Sequence, residues 1–263
     1  MCFSIRNLIS LVTLGLLFGC TQATQYKRAS NLSQIDKLLS HSKYIDEDVL
    51  VVFDFNYTLM YPINPCLHKN NIDKNKSEFK AIIGRLSHEQ ADQMLSKMMA
   101  TQEQKLINDQ LPSFLEKYSK VNFVVCSSSL ENNADVYSNL LLKNGVKITN
   151  SYNLPNFEFL EFSKYISGYP AYKNGIIVTN RCSKGKVLIS FLKRISHFPK
   201  VIIFIDNSGD KLEDVKVAIK SLKNIKLVLV VEYLEYKNKI IPEVSKVQFS
   251  KYWNEQVEKF LTQ

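Results

Sequence analysis

Histidine and cysteine are both scarce in this chain, with 4 and 5 copies in 263 residues. His68, His88 and His197 have no neighbouring partner that suggests catalysis, and they read as surface or loop residues. Cys2 and Cys20 fall in or at the end of an amino-terminal apolar stretch, leaving Cys66, Cys126 and Cys182. Three is an odd number, which excludes a complete disulfide framework; one bridge among them stays open, and the sequence does not choose it. No CxxC or paired-His spacing occurs, so a structural zinc site is excluded as well. Blocks of basic residues interleaved with aromatics are also missing, which leaves a nucleic-acid partner without support. There is no internal repeat and no low-complexity tract.

What is present begins with a leader. Residues 1–19, MCFSIRNLISLVTLGLLFG, carry one cation, Arg6, ahead of an apolar run from Leu8 to Phe18. This run is short for a membrane span, which takes about 20 apolar residues, and has the form of a secretory signal. Leu17, Phe18, Gly19 and Cys20 resemble a bacterial lipobox, although Phe is looser than the small residue usual at its position. That resemblance implies lipidation at Cys20 and an exported lipoprotein held on a membrane by its lipid, periplasmic or at the cell surface. The alternative is an uncleaved anchor helix, against which the polar TQATQYKRASN that follows at once argues. The formal net charge of +9 favours an anionic lipid, a phosphorylated small molecule or another anionic ligand. A plain solvated basic surface is the more ordinary explanation of that charge.

Residues 20–45 read as a polar tether leading into a short helix near Ser33 to Leu39. Short, β-branched, continuous apolar runs then recur at Val49 to Phe53, Phe123 to Cys126, Gly175 to Thr179, Val201 to Ile205 and Leu227 to Val231. Such runs are expected of parallel strands covered on both faces. Helical periodicity separates the last three, through Val187, Leu188, Phe191, Leu192, Ile195 and then Leu212, Val215, Ile219, Leu222. Strand and helix in alternation predict an α/β fold, a doubly wound, mostly parallel Rossmann-like sheet. The core is expected over 46–60 and 123–263. Between its first two strands, residues 61–122 carry Phe79, Ile82, Ile83, Leu86 and Met94, Leu95, Met98, Met99 at helical spacing, which predicts a helical cap insertion. Residues 146–173 read as a loop-rich excursion with one or two short strands. Phe249, Trp253, Val257, Phe260 and Leu261 form one face of a terminal helix expected to pack on the sheet.

Ligands of an open parallel sheet bind beyond the carboxyl ends of its strands. The residues there are Asp54, Phe55, Asn56, Tyr57, Thr58 after the first strand and Ser127, Ser128, Ser129 after the second. Ser183, Lys184, Gly185 and Lys186 open the helix before the fourth strand, and Asp206, Asn207, Ser208, Gly209, Asp210 follow that strand. This ordered set resembles the haloacid dehalogenase (HAD) superfamily, whose motifs run DxDxT, Ser or Thr, Lys, and an acidic pair. The passages NGIIVTNRCSKGKVLISFLKRI and KVIIFIDNSGDKLEDV are similar to uncharacterised bacterial HAD-like proteins of the DUF2608 type.

The chemistry of the set fits phosphoryl transfer, which needs an oxygen nucleophile, cations and hydrogen-bond donors to the transferring group. Asp54 can attack phosphorus. Ser127, with Ser128 as the nearby alternative, can donate to a phosphate oxygen, and so can a lysine, Lys184 or Lys186; the KG pattern of the similar proteins selects Lys184. The three serines can equally be a helix cap. The resemblance implies magnesium held by Asp54, the carbonyl of residue 56 and Asp206, with Asn207 and Asp210 as further oxygen donors. Two positions depart from the family pattern. Asn56 stands where HAD phosphatases carry the Asp that protonates the leaving group, and an amide cannot exchange that proton. Asn207 replaces the second acid of the pair. The resulting expectations are a magnesium-dependent phosphoester hydrolase or phosphotransferase of reduced activity acting through Asp54, or a catalytically inactive lipoprotein that keeps the HAD scaffold for binding or structure.

Overall fold

A computed structural model describes residues 22–40, 48–148, 152, 154–166 and 168–263. The leader, Cys20 and parts of the expected tether lie outside these residues.

The chain runs β1 (Ala23–Ala29), α1 (Leu32–Ser40), β2 (Val49–Phe53), β3 (Met60–Pro62), α2 (Lys69–Lys74), α3 (Lys76–Ile83), α4 (His88–Thr101), β4 (Gln104–Leu106) and α5 (Leu111–Lys117). It continues through β5 (Asn122–Ser127), α6 (Ala134–Lys143), β6 (Phe157–Glu158), β7 (Ala171–Lys173), β8 (Ile176–Val178), α7 (Lys184–Arg194), β9 (Val201–Asp206), α8 (Gly209–Ile219), β10 (Leu227–Tyr233) and α9 (Lys246–Leu261). Eight strands form one sheet in the order β1-β10-β9-β2-β5-β8-β7-β6. The pairs from β1 to β8 are parallel, and β7 and β6 add an antiparallel edge.

Successive strand residues point to opposite faces, and each face of this sheet has its own core. Val49, Val51 and Phe53 of β2 join Phe123, Val125, Ile203 and Ile205 under α1, α5 and α6. Leu50 and Val52 join Val124, Ile202 and Phe204 under α7 and α8. Burial on both faces explains why these strands read as unbroken apolar runs rather than alternating ones. Each such side chain taken out of water contributes about 1.5–3 kcal/mol.

Three expectations are corrected. The first half of the tether, 23–29, is a strand: β1 pairs in parallel with β10 at the sheet's edge, Ala23 opposite Leu227 through Ala29 opposite Tyr233. Most of β1 is exposed, so backbone pairing rather than apolar burial holds it. The terminal helix α9 does not pack on the sheet. Its Phe249, Trp253 and Val257 are buried against Leu67, Ile82, Leu86, Met94 and Met98 of the insertion, and the Trp253 indole N–H donates to the Cys66 carbonyl at 3.2 Å. Finally, α5 belongs to the core although it lies within 61–122, because Leu111, Phe114 and Leu115 pack under the sheet. The helical part of the cap is therefore α2 to α4 with α9 laid across it, standing beside the two-stranded antiparallel pair β3–β4.

Candidate functional site

The site starts where β2 stops. The Asp54 N–H still donates to the Ile205 carbonyl at 2.8 Å, so the residue leaves the strand in register with β9. The chain then turns sharply: Phe55 O accepts from Leu59 N (2.9 Å) and Met60 N (3.1 Å), and Tyr57 takes a positive φ of 61°. A non-glycine residue in that region is strained by about 1–3 kcal/mol. Phe55 is buried flat against Tyr137 of α6, centroids 3.8 Å apart, and the Tyr57 hydroxyl donates to the Leu67 carbonyl, so the turn is held from both sides.

Strands β9, β2 and β5 are neighbours, and β2 is where the chain order reverses. That topology brings Asp54, Ser127 and Asp206 to one crevice. The fourth partner arrives on α7. Lys184 is buried at the start of that helix, and its ammonium donates to Asp54 Oδ1 at 2.6 Å and Asp206 Oδ2 at 2.7 Å. It also lies 5.8 Å from the Phe204 ring centroid. The far oxygens are engaged too: Thr58 Oγ1 donates to Asp54 Oδ2 at 3.4 Å, and Ser208 N to Asp206 Oδ1 at 2.8 Å. Burial alone lowers the Lys184 pKa, but Asp206 and Asp54 outweigh it and hold the ammonium above its ordinary value. Burial raises the Asp54 carboxyl, opposed by Lys184 and reinforced by Asp206. Lys186, the rival in the sequence, is exposed.

Gly185 makes this placement possible. A Cβ there would stand 2.5 Å from Ala218 Cβ and 2.8 Å from the Asp214 carbonyl, so α7 can approach α8 only with glycine at this position. Asp214 of α8 fixes the start of α7 by accepting from Ser183 Oγ (2.6 Å) and Gly185 N (3.2 Å).

Asp54, Asn56, Ser127, Ser128, Lys184, Asp206 and Asn207 all line a single cavity of about 330 Å³. Asp210 does not line it; it is exposed in the first turn of α8, so the charge lost at Asn207 is not restored from there. Among the described residues no group of three or more His, Cys, Asp or Glu is arranged to hold a metal ion. The serines are not a helix cap, since α6 begins at Ala134 and no side chain caps it. Ser127 Oγ accepts from Ser129 N at 3.3 Å, whereas the buried Ser128 Oγ has no partner among the described residues.

Asn56 is likewise half-satisfied. Its amide donates to the Tyr137 hydroxyl at 3.3 Å, while its buried carbonyl oxygen has no partner among the described residues. Tyr137 begins a polar chain that no motif revealed. Its hydroxyl donates to Ser129 Oγ (3.0 Å), Asn133 Nδ2 donates to Ser129 Oγ (2.6 Å) and to Ser96 Oγ (2.7 Å), and the two serine oxygens lie 3.1 Å apart. Ser96 is on α4, so this chain ties the cap to the core. A second tie is Asp92 of α4, which takes Arg181 at 2.8 Å and the Tyr165 hydroxyl at 2.7 Å. Asn133, just before α6, and Tyr137, four residues on within it, were the only available sequence signal.

The remaining candidates sit elsewhere. Cys66, Cys126 and Cys182 are free thiols. Burial pushes Cys126 up to about 12, so it remains protonated beside the site. His68 is not a surface residue; it is fully buried between the rings of Tyr57 and Tyr61. His197 pairs with Asp48 and Tyr152 at the amino end of the strands, away from the cavity. No helix among the described residues is long and apolar enough to cross a membrane.

A mostly parallel sheet, with an aspartate strand at its switch point and the serine, lysine and aspartate segments meeting there, defines a doubly wound α/β protein with its candidate site at the strand ends. The chain belongs to the family described as "Protein of unknown function (DUF2608)", whose model matches residues 28–261. It is similar to an uncharacterised protein of Rickettsia felis, 23% identical over 90% of this chain and 84% of that one, and to another of Rickettsia typhi, 19% identical over 83% and 84%. Among solved structures it is similar to the HAD domain of effector protein Lem4 from Legionella pneumophila, in an inactive mutant, with 14% identity, 82% of this chain and 99% of that chain covered, and a TM-score of 0.39.

Proposed function

We propose that this chain is a HAD-type phosphoester hydrolase or phosphotransferase that works through an aspartyl-phosphate on Asp54 and turns over slowly. The observation that carries the reading is the Lys184 ammonium between Asp54 and Asp206 on the floor of a cavity that also holds a buried Ser128 hydroxyl with no partner among the described residues. A carboxylate held by a fixed cation is oriented for attack, and preorganised donors stabilise the charge that develops on the transferring group.

The donor set is all oxygen with two carboxylates, which suits magnesium, a cation that keeps several waters and needs only one or two protein carboxylates. Asp54, Asp206 and Asn207 would hold it; bound there, it would spread the charge of the transferring phosphoryl group. Ser127, Ser128 and Lys184 would orient the phosphate. Asn56 holds the loop through Tyr137 but moves no proton, so water attack on the acyl phosphate goes without a base.

The test is phosphate release from a generic aryl phosphate, with and without magnesium, beside Asp54→Asn. Release lost in the variant supports the nucleophile; release equal in both rejects it. Asn56 also favours a second reading, a binding or structural module that retired from turnover, and vigorous magnesium-dependent turnover would eliminate it. We further propose the exported, lipid-anchored placement implied by Cys20, which metabolic labelling with a radioactive fatty acid tests against Cys20→Ser.

A further inference from the structure

Independently of any phosphoryl transfer, we propose that the end of the sheet where its parallel strands begin, opposite the cavity, is a docking surface for an anionic phospholipid bilayer. Two observations lead there, one of charge and one of chain path.

Lysines crowd this end. Lys120 precedes β5, Lys200 precedes β9, Lys223 lies between α8 and β10, and Lys147 follows α6 beside Ser119 and Phe123. Lys143, Lys193 and Lys220 stand at the carboxyl ends of α6, α7 and α8. All of them are exposed, and none has an ion-pair partner among the described residues. The helix-end lysines complement the macrodipole, an effect that fades within the last turn; the other four have no such reason to gather. Acids at this end are fewer: among the described residues Asp36, Asp48 and Glu116, the first two engaged by Lys117 and His197. Residues 41–47, outside the described ones, carry Lys43, Asp46 and Glu47, a net charge of one negative. The lysines spread over the neighbouring strands β10, β9, β2 and β5, about 14 Å across at about 4.8 Å between strands, and over helices on both faces of the sheet. Single charges laid across both layers match a planar array of anions rather than one ligand in a pocket. An anionic leaflet strengthens binding about fivefold for each lysine near its surface.

The chain enters the fold at the same end. Gln22 stands just before β1, and its side-chain amide donates to the Ile219 carbonyl at 3.3 Å, one residue from Lys220. Cys20 is two residues back, so however the chain runs it lies within about 7 Å of Gln22. A lipid on Cys20 would therefore hold this face, and no other, against the headgroups. This path favours a bilayer over nucleic acid, the other extended polyanion.

Asp54 lies beyond the 5 residues of β2, about 17 Å from this face. Docked this way, the protein turns its cavity toward water, and a soluble ligand reaches it without crossing the lipid.

The experiment footprints lysines by acetylation and mass spectrometry, on the full chain and on Cys20→Ser, with vesicles of phosphatidylcholine alone or mixed with phosphatidylglycerol. On the mixed vesicles at low salt, Lys120, Lys200, Lys220 and Lys223 should be acetylated at least about fivefold more slowly in both proteins, the weight of one surface charge contact. Lys76 and Lys80, exposed on the cap, and Lys237, exposed past the far end of β10, should not change. The protection should vanish at about 1 M salt, where the Debye length is about 3 Å. Protection of the far lysines to the same degree overturns the inference, as does no protection at all, equal protection on phosphatidylcholine alone, or protection that Cys20→Ser abolishes. Polyuridylate that protects the same lysines more strongly than the vesicles at equal phosphate overturns it in favour of nucleic acid. A chain that takes up no fatty acid at Cys20 but shows this footprint loses only its lipid anchor, and the docking face stands.

Discussion

The floor and the roof of the cavity are made by opposite means. The floor is three charges and a set of hydroxyls placed at strand ends, with nearly every polar atom assigned a partner. The roof is apolar, assembled from helices far apart in the chain and joined to the floor through only a few polar ties, at Ser96 and Asp92. On the proposed reading the floor would hold the phosphoryl group and the roof would cover what is attached to it. A polar floor is intolerant of losing a single member, since an unpaired buried charge is costly, whereas the roof depends on summed contacts.

That contrast can be broken at several points. Trp253→Ala should have the largest effect, about 4 kcal/mol lost from the cavity it leaves in the roof; calorimetry should show the cap melting before the sheet, and a single unshifted transition would refute the division. Lys184→Met should cost about 3 kcal/mol at neutral pH by stranding two carboxylates, and less in acid where they protonate. A melting temperature that falls equally at all pH values would mean the ammonium does not offset them.

His68 offers a graded test at the junction of the two regions. Burial lowers its imidazole pKa to about 4 from an ordinary 6.5. The unfolded chain therefore binds the proton first. His68 contributes stability that is full above about 6.5 and is lost as the pH falls toward 4, on the order of 2–3 kcal/mol. His68→Asn, which keeps a cap acceptor for the Asn70 N–H, should flatten denaturant-derived stability across that window. The smallest effect is expected from Ser96→Ala, about 1 kcal/mol for one buried tie, with phosphate-ester KM rising more than kcat falls if the roof becomes looser.

The five central strands were legible because burial on both faces demands β-branched, continuous runs, and Val49–Phe53 was read to the residue. Asp54 and Asp206 were expected together because topology carries strand ends to one crevice, whereas Lys184 was selected over Lys186 by the KG pattern of the similar proteins; the three side chains meet in the structure. Strand β1 was not, since ATQYKRA holds its place by backbone pairing at an edge and has no apolar signature. The partner of α9 was missed for another reason: an amphipathic face shows that something covers it but not what. Tyr137, Arg181 and the α4 pair Asp92 and Ser96 come from three separate segments, and only the folded chain brings them together.

The seating of α9 on the cap also sets an order of events during synthesis. Trp253 and the carbonyl it binds at Cys66 are 187 residues apart. The sheet can close once β10 has emerged, but the apolar face of α3 and α4 stays bare until α9 is made. Until then the nascent protein carries a finished charged floor beneath an open, sticky roof, the kind of exposed surface that draws chaperones or association. Contacts this distant in sequence are also slow to form, so closure of the cavity should come late in folding.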